Sequence, residues 1–259
     1  MRHGPMVALA LLVLAGCRGT LSPLSNKLKV GQEAYVAFVA DGEAGQGDLF
    51  ASPPVSGTAF QVTFTRLDER APALSPDGAT LAFLRAMSAG DTAPASLVFL
   101  NLLNGAERRT EAPPAIEAVR WSPDGRSLFL RGAAGLYRTP APPAPLAIAP
   151  VTGSERARAD SLFRTLLGDP PLGEVGPCAN GAGVCARLTS GDTLTLSADG
   201  SGSFAWSSDS VGYFEDGGLV IRPLAGGKTR TIRWQASLTH PRQATWFPGT
   251  GTQRDSALH

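Results

Sequence analysis

Over most of the chain, hydrophobic residues occur in short runs separated by turn-forming residues. Three early runs, Ala34–Asp41, Asp48–Ser52 and Phe60–Phe64, have the length and residue types of strands. Short strands joined by frequent turns are typical of all-β domains. The pattern therefore predicts an all-β fold and leaves little room for long helices.

A four-residue turn motif occurs twice between strand-like runs. Ser75-Pro-Asp-Gly78 follows Ala-Pro-Ala-Leu and precedes Leu-Ala-Phe-Leu, and Ser122-Pro-Asp-Gly125 follows Val-Arg-Trp and precedes Leu-Phe-Leu. Proline sets φ for a tight turn, and Gly78 and Gly125 accept a positive φ. Each copy therefore predicts a β-hairpin.

Two weaker copies extend the repeat. One is Phe204–Phe214, with Ser207–Ser210 as its turn, and the other is Ala244–Thr250. Successive turns begin 47, 85 and 40 residues apart. The middle interval is close to two units of about 42 residues, which is the size of a propeller blade. One degenerate unit is therefore expected near residue 165.

These motifs resemble the WD40-like PD40 repeats of TolB-type β-propellers. The resemblance covers residues 34–250 and implies a small propeller of about five four-stranded blades. The three early runs of the chain look like a blade that lacks its first strand, and Gln243–Phe247 looks like that missing strand. We therefore expect the ring to close by joining the two ends of the chain in one blade, while six blades stay an alternative.

The repeat contains polar and aromatic residues that could serve as sites. We interpret Asp77, Asp124 and Asp209 as residues that hydrogen-bond their own turns rather than as ligands or catalytic acids. Trp121 and Trp246, together with Trp206, precede the turns and are expected to be equivalent core residues between blades, not a binding platform.

One segment has helical rather than strand periodicity. Ser154–Gly168 places Ala159, Leu162, Phe163, Leu166 and Leu167 on one face, with Ser154 as the N-cap and Gly168 at the end. We expect a short inserted helix that packs on its own blade. A partner-binding or membrane-lying helix is the functional alternative.

The first residues have the features of a secretory signal. Basic Met1–His3 precedes the apolar run Met6–Gly16, which at eleven residues is too short to span a bilayer. The sequence Leu14-Ala-Gly-Cys17 resembles the lipobox of bacterial lipoproteins. This resemblance implies cleavage before Cys17, a diacylglyceryl thioether on its sulfur and a fatty acyl group such as palmitate. Arg18, rather than aspartate, follows and implies sorting to the outer membrane, facing the periplasm or the cell surface.

The predicted organisation is a signal peptide over 1–16, a lipidated tether over 17–33, the propeller over 34–250 and a disordered tail over 251–259. Apart from Cys17, the chain has Cys178 and Cys185, which are expected to form a disulfide in an oxidising compartment. Two free thiols or a metal site are the alternatives. A net charge of +1 without a basic cluster argues against nucleic-acid binding.

The sequence offers no positive evidence for catalysis. It lacks a Gly-x-Ser-x-Gly elbow and a Walker motif, and we assign no catalytic, cofactor-binding or metal-binding residue. The expected function is therefore a lipid-anchored envelope module that binds or scaffolds a protein partner. The alternative is a propeller enzyme or ligand sensor with a small-molecule or glycan site at the central channel.

Overall fold

The computed structural model describes residues 23–87, 95–168, 172–235 and 238–250. Within this part, twenty strands form five antiparallel sheets of four strands each. The sheets are the blades of a β-propeller, numbered here in chain order from the blade that contains the N-terminal strands. The predicted all-β fold, five blades and single short helix are confirmed.

The first blade joins the two ends of the chain, as predicted. Its strands, from the inside outwards, are β20 (Arg242–Phe247), β1 (Tyr35–Asp41), β2 (Gly47–Ser52) and β3 (Phe60–Gln61). The predicted strand Phe60–Phe64 is thus only two residues long.

The other four blades are continuous along the chain. The second contains β4 (Asp68–Leu74), β5 (Thr80–Ala86), β6 (Ala95–Asn101) and β7 (Glu107–Glu111). The third contains β8 (Ile116–Trp121), β9 (Ser127–Gly132), β10 (Gly135–Pro140) and β11 (Ala149–Pro150). The fourth contains β12 (Thr165–Leu167), β13 (Gly173–Pro177), β14 (Val184–Leu188) and β15 (Thr193–Ser197). The fifth contains β16 (Ser201–Ala205), β17 (Ser210–Glu215), β18 (Gly218–Pro223) and β19 (Arg230–Arg233).

The strand β20 holds the ring closed from both sides. It pairs with β1 in the register Tyr35↔Phe247 and Val36↔Trp246. On its other side, Thr245 Oγ1 accepts a hydrogen bond from the Leu74 amide at 3.1 Å in the second blade. The last strand therefore links the first and second blades as well as the two ends of the chain.

The helix differs from its prediction. The helix α1 spans only Glu155–Ser161, and Ser154 adopts helical angles without a side-chain cap. Thr165–Leu167 forms β12 instead, so Leu167 is buried in the fourth blade while Leu166 is partly exposed. The helical periodicity of Ser154–Gly168 wrongly extends the predicted helix into this strand, because three residues are too few to show the period of two that is typical of a strand. Ala159 and Phe163 pack against the third blade, which precedes the helix in the chain.

Successive connections lie on alternate faces of the ring because each blade is an antiparallel meander. The turns that follow the inner strands, including Ser75–Thr80, Ser122–Ser127 and Ser207–Ser210, lie on one face, which we call the turn face. The other face, which we call the opposite face, carries the connections that lead into the inner strands.

The segment before β1 packs on the turn face. It contains the 3₁₀ helix Leu24–Asn26, and the buried Leu24, Leu28 and Val30 contact the core of the first two blades. The Ser25 amide donates to the Leu102 carbonyl at 3.2 Å, in the connection between β6 and β7. Residues 23–33, which the sequence assigns to the tether, are thus part of the folded domain.

A buried polar network joins the first and second blades. Glu69 is fully buried and accepts hydrogen bonds from Thr63 and from Arg85 Nε, the latter at 2.8 Å. Arg85 also forms a two-pronged ion pair with Glu107 at 2.8 and 2.9 Å. Burial raises the pKa of Glu69 and also that of Asp48, whose Oδ1 has no hydrogen-bond partner among the described residues.

Candidate functional site

The three aspartates of the repeat hydrogen-bond within their own turns. Asp77 Oδ1 accepts from the Ser75 hydroxyl at 2.5 Å and from the Ala79 amide at 3.0 Å. Asp124 accepts in the same way from the Ser122 hydroxyl and the Arg126 amide. The hydrogen bond from Ser122 is the main cause of the lowered pKa of Asp124.

Asp209 accepts from the hydroxyls of Ser207 at 2.8 Å and Ser210 at 2.9 Å. The Ser207 bond contributes most to its lowered pKa. Gly78 and Gly125 have φ of +65° and +68°, which their turns require. The turn residues are thus engaged in local structure.

The tryptophans do not occupy one equivalent position, which corrects the sequence alignment. Trp121 and Trp246 both face the preceding blade, and Trp121 Nε1 donates to the Ala73 carbonyl at 2.9 Å. The Trp206 amide bonds to Ser210, four residues on, whereas the Ser122 amide bonds to Ser127, five residues on. The fifth-blade turn is therefore one residue shorter, and Trp206 corresponds to Ser122.

A shift of one residue turns a strand side chain to the other side of its sheet. Trp206 therefore faces the first blade, where its ring stacks on Trp246 with centroids 4.2 Å apart. Phe204 lies beside both rings. The pair fills the seam between the fifth and first blades and is only partly exposed.

The central channel contains a small cavity of about 140 Å³. Residues from the inner strands of four blades line it: Ala71, Pro72, Glu117, Ala118, Arg120, Gly202, Ser203, Gln243 and Ala244. The lining combines one cation, one carboxylate and neutral polar groups, so the channel at this level is not filled by apolar side chains.

A larger pocket, of about 410 Å³, lies on the opposite face between the fifth and first blades. Asp41 anchors its edge: Oδ2 lies 2.6 Å from His240 Nδ1, and Oδ1 accepts from Arg242 Nη1 at 2.7 Å. Burial raises the pKa of Asp41, but the bonds from His240 and Arg242 outweigh burial and lower it. His240 also has a φ of +47°, which is uncommon for a residue other than glycine.

The pocket is acidic. Asp199, Glu215 and Asp216 line it together with Phe214 and Leu238, and the one arginine of the lining, Arg242, already pairs with Asp41. Such a lining suits a basic side chain with an apolar stem. Sequence analysis missed the site because Asp41 and His240 lie 199 residues apart and meet only through ring closure.

The two downstream cysteines meet on the opposite face. Cys178 and Cys185 form a disulfide with an S–S distance of 2.02 Å, at the connection between β13 and β14. The described ranges contain no group of three His, Cys, Asp or Glu residues arranged to hold a metal ion. Cys17, the predicted signal peptide over 1–16 and the predicted tail over 251–259 lie outside the described residues.

No helix in the described part of the chain is both long and apolar enough to cross a membrane.

Comparison with known proteins finds similarity in structure only. No family model matches the sequence, and no curated protein does. TolB from Acinetobacter baumannii aligns with 82% of this chain at 14% identity and a TM-score of 0.41. A putative TolB from Agrobacterium tumefaciens aligns with 83% at 15% identity and a TM-score of 0.36. The chain spans 66% of the Acinetobacter protein, just under two thirds, and 71% of the Agrobacterium protein.

Proposed function

We propose that this chain is a lipid-anchored cell-envelope module that binds a protein partner through the opposite face of its propeller. The observation that carries the proposal is the position of the N-terminal segment. Pro23, the first described residue, lies on the turn face, beside the connection between β6 and β7. Any anchor upstream of Pro23 therefore attaches at the turn face.

The length of the connection limits how the domain sits on a membrane. Only residues 18–22 separate Cys17 from Pro23. Even a fully extended chain of this length reaches only about 20 Å. A lipid on Cys17 would hold the turn face near the bilayer, and the opposite face would project into the surrounding compartment.

The opposite face has features that suit a protein partner. Phe64 is 61% exposed and Met87 is 80% exposed, and both lie in connections on this face. Large apolar side chains at a surface serve as anchors in protein interfaces. The acidic pocket at Asp199, Glu215 and Asp216 adds a site for a basic side chain of the partner.

The proposal is tested by crosslinking in cells and affinity purification of the full chain, read by mass spectrometry. We expect envelope proteins to copurify with the wild type and to be lost with Phe64→Glu. Val55→Glu is the matched control, because Val55 is 82% exposed but lies on the turn face. Equal capture by both variants, or no specific partner, would refute binding through the opposite face.

The anchor is tested separately. We expect the mature N-terminal peptide to begin at a lipidated Cys17 by mass spectrometry, and Cys17→Ser to release the protein from membranes. An unmodified Cys17 in membrane-bound protein would contradict the lipoprotein proposal.

A further inference from the structure

The central channel contains a cation that lacks a counter-charge. Arg120 lines the 140 Å³ cavity, and its one hydrogen bond in the described structure runs from Nη1 to its neighbour's carbonyl, Val119 O, at 3.0 Å. A guanidinium has five N–H donors, so most of its donor capacity is unused. Glu117 lines the same cavity, but the Arg120 guanidinium donates to the Val119 carbonyl rather than to the Glu117 carboxylate.

The position of Arg120 in the repeat is unusual. It directly precedes Trp121, as Ala73 precedes Leu74 and Thr245 precedes Trp246. Ala73 and Thr245 are small and face the following blade. In the third blade a long cation occupies this place, and the following inner strand, β12, is only three residues long. The Arg120 side chain lines the channel cavity.

The electrostatic surroundings of Arg120 are unfavourable for a cation. Burial lowers the pKa of Arg120, and the positive charge of Arg131 lowers it further. The Arg131 guanidinium itself lies 4.7 Å from the centre of the Phe163 ring. Arg120 is partly buried, and a charge withdrawn from water without a partner is destabilising, so an anion would relieve that cost.

We infer that the channel binds a small oxyanion, a carboxylate or a phosphate, through Arg120, with Ser203 and Gln243 as further hydrogen-bonding groups. The cavity volume corresponds to a few water molecules, since a water occupies about 30 Å³, and this suits a group of that size. Arginine donates two parallel hydrogen bonds to either group. The inference goes beyond the proposed partner binding, because it concerns the channel rather than the opposite face.

The test uses the purified full chain in non-ionic detergent, at constant ionic strength set with chloride. Acetate, inorganic phosphate and a short peptide ending in aspartate are titrated separately. The readouts are the midpoint of thermal unfolding and the Nε–H NMR signal of Arg120. We expect at least one probe to raise the midpoint saturably and to shift that signal, and the tightest probe to identify the source of the anion.

Arg120→Met should abolish the anion dependence and, in chloride alone, unfold at no lower temperature than the wild type. Arg131→Met is the matched control, since Arg131 does not line the cavity, and it should keep the dependence. The same anion dependence in Arg120→Met would overturn the inference. The inference would also be overturned if no probe shifted the Arg120 NMR signal of the wild type. That measurement does not depend on whether Arg120→Met folds. Neither membrane nor partner is present, so the result is independent of the proposed partner binding.

Discussion

Arg85 bridges two carboxylates of the second blade, Glu69 and Glu107, and Glu69 in turn accepts a hydrogen bond from Thr63 at the junction with the first blade. Replacing Arg85 by methionine keeps much of the side-chain volume but removes the cation between Glu69 and Glu107. The Glu69 side chain is 0% exposed, and that of Arg85 is 10% exposed. Removing one partner of a buried ion pair leaves the other charge unpaired and costs about 3–5 kcal/mol. We expect a loss of that size in the free energy of unfolding at neutral pH.

The loss should depend on pH in a defined direction. Burial already raises the pKa of Glu69, and without Arg85 it rises further. The folded variant then binds more protons than the unfolded chain above about pH 4.5, so its stability falls as the pH rises. Below that pH the carboxyl is neutral in both states, and the cost of the substitution shrinks.

Urea unfolding followed by tryptophan fluorescence at about pH 4.5 and about pH 7.5 measures both effects. Arg109→Met, on an exposed strand of the same blade, should cost under about 0.5 kcal/mol. The double variant Glu69→Gln/Arg85→Met should recover part of the loss. A cost below about 1 kcal/mol for Arg85→Met at neutral pH, or the same cost at both pH values, would refute this account of the network.

Three further substitutions test separate parts of the fold. The stability of Asp48→Asn relative to the wild type should increase as the pH rises from about 4 to 7, because burial raises the pKa of Asp48 and its ionised carboxylate therefore destabilises the wild type. A difference in urea midpoint that does not change with pH would contradict this. Thr245→Val removes the acceptor of the Leu74 amide and should cost about 1–3 kcal/mol in the same assay; no change would mean that water replaces the hydroxyl. Replacing Cys178 and Cys185 by serine opens a short loop and should lower the free energy of unfolding by about 2–3 kcal/mol. A reductant should lower the free energy of unfolding of the wild type by the same amount and leave that of the variant unchanged.

The second, third and fifth blades could be predicted because each contains a local turn signal, whereas the fourth is expected only from the spacing of the turns. A tight turn between two apolar runs specifies a hairpin, and the spacing of the turns gives the number of units. The end of the helix could not be predicted, because the residue types of Thr165–Leu167 are compatible with a helix as well as with the short strand that they form. The orientation of Trp206 was also hidden, because the turn after it lacks one residue and the sequence does not mark where.

The candidate sites depend on distances along the chain that no local motif spans. Asp41 reaches His240 and Arg242 only after β20 has paired with β1. Arg120 lines the channel together with residues of three other blades, none of which is close to it in sequence. Sequence reasoning identified the elements, whereas the chemistry of the sites arises where different blades meet.

The inner strands show why the channel is the hardest part to predict. Three of them contain a two-residue bulge, at Ala71–Pro72, Gly202–Ser203 and Gln243–Ala244. The first residue of each bulge has a φ between 50° and 63°, which favours glycine, yet two of the three are alanine and glutamine.

Tertiary contacts therefore hold these bulges where local preference does not. The Gln243 side chain accepts a hydrogen bond from the Ala71 amide at 2.8 Å, so the bulge of one blade fixes the bulge of the next. Such mutual support exists only in the closed ring. The residues that line the channel are consequently selected by the geometry of the whole propeller, which explains why a cation at its centre carries no signature in the sequence.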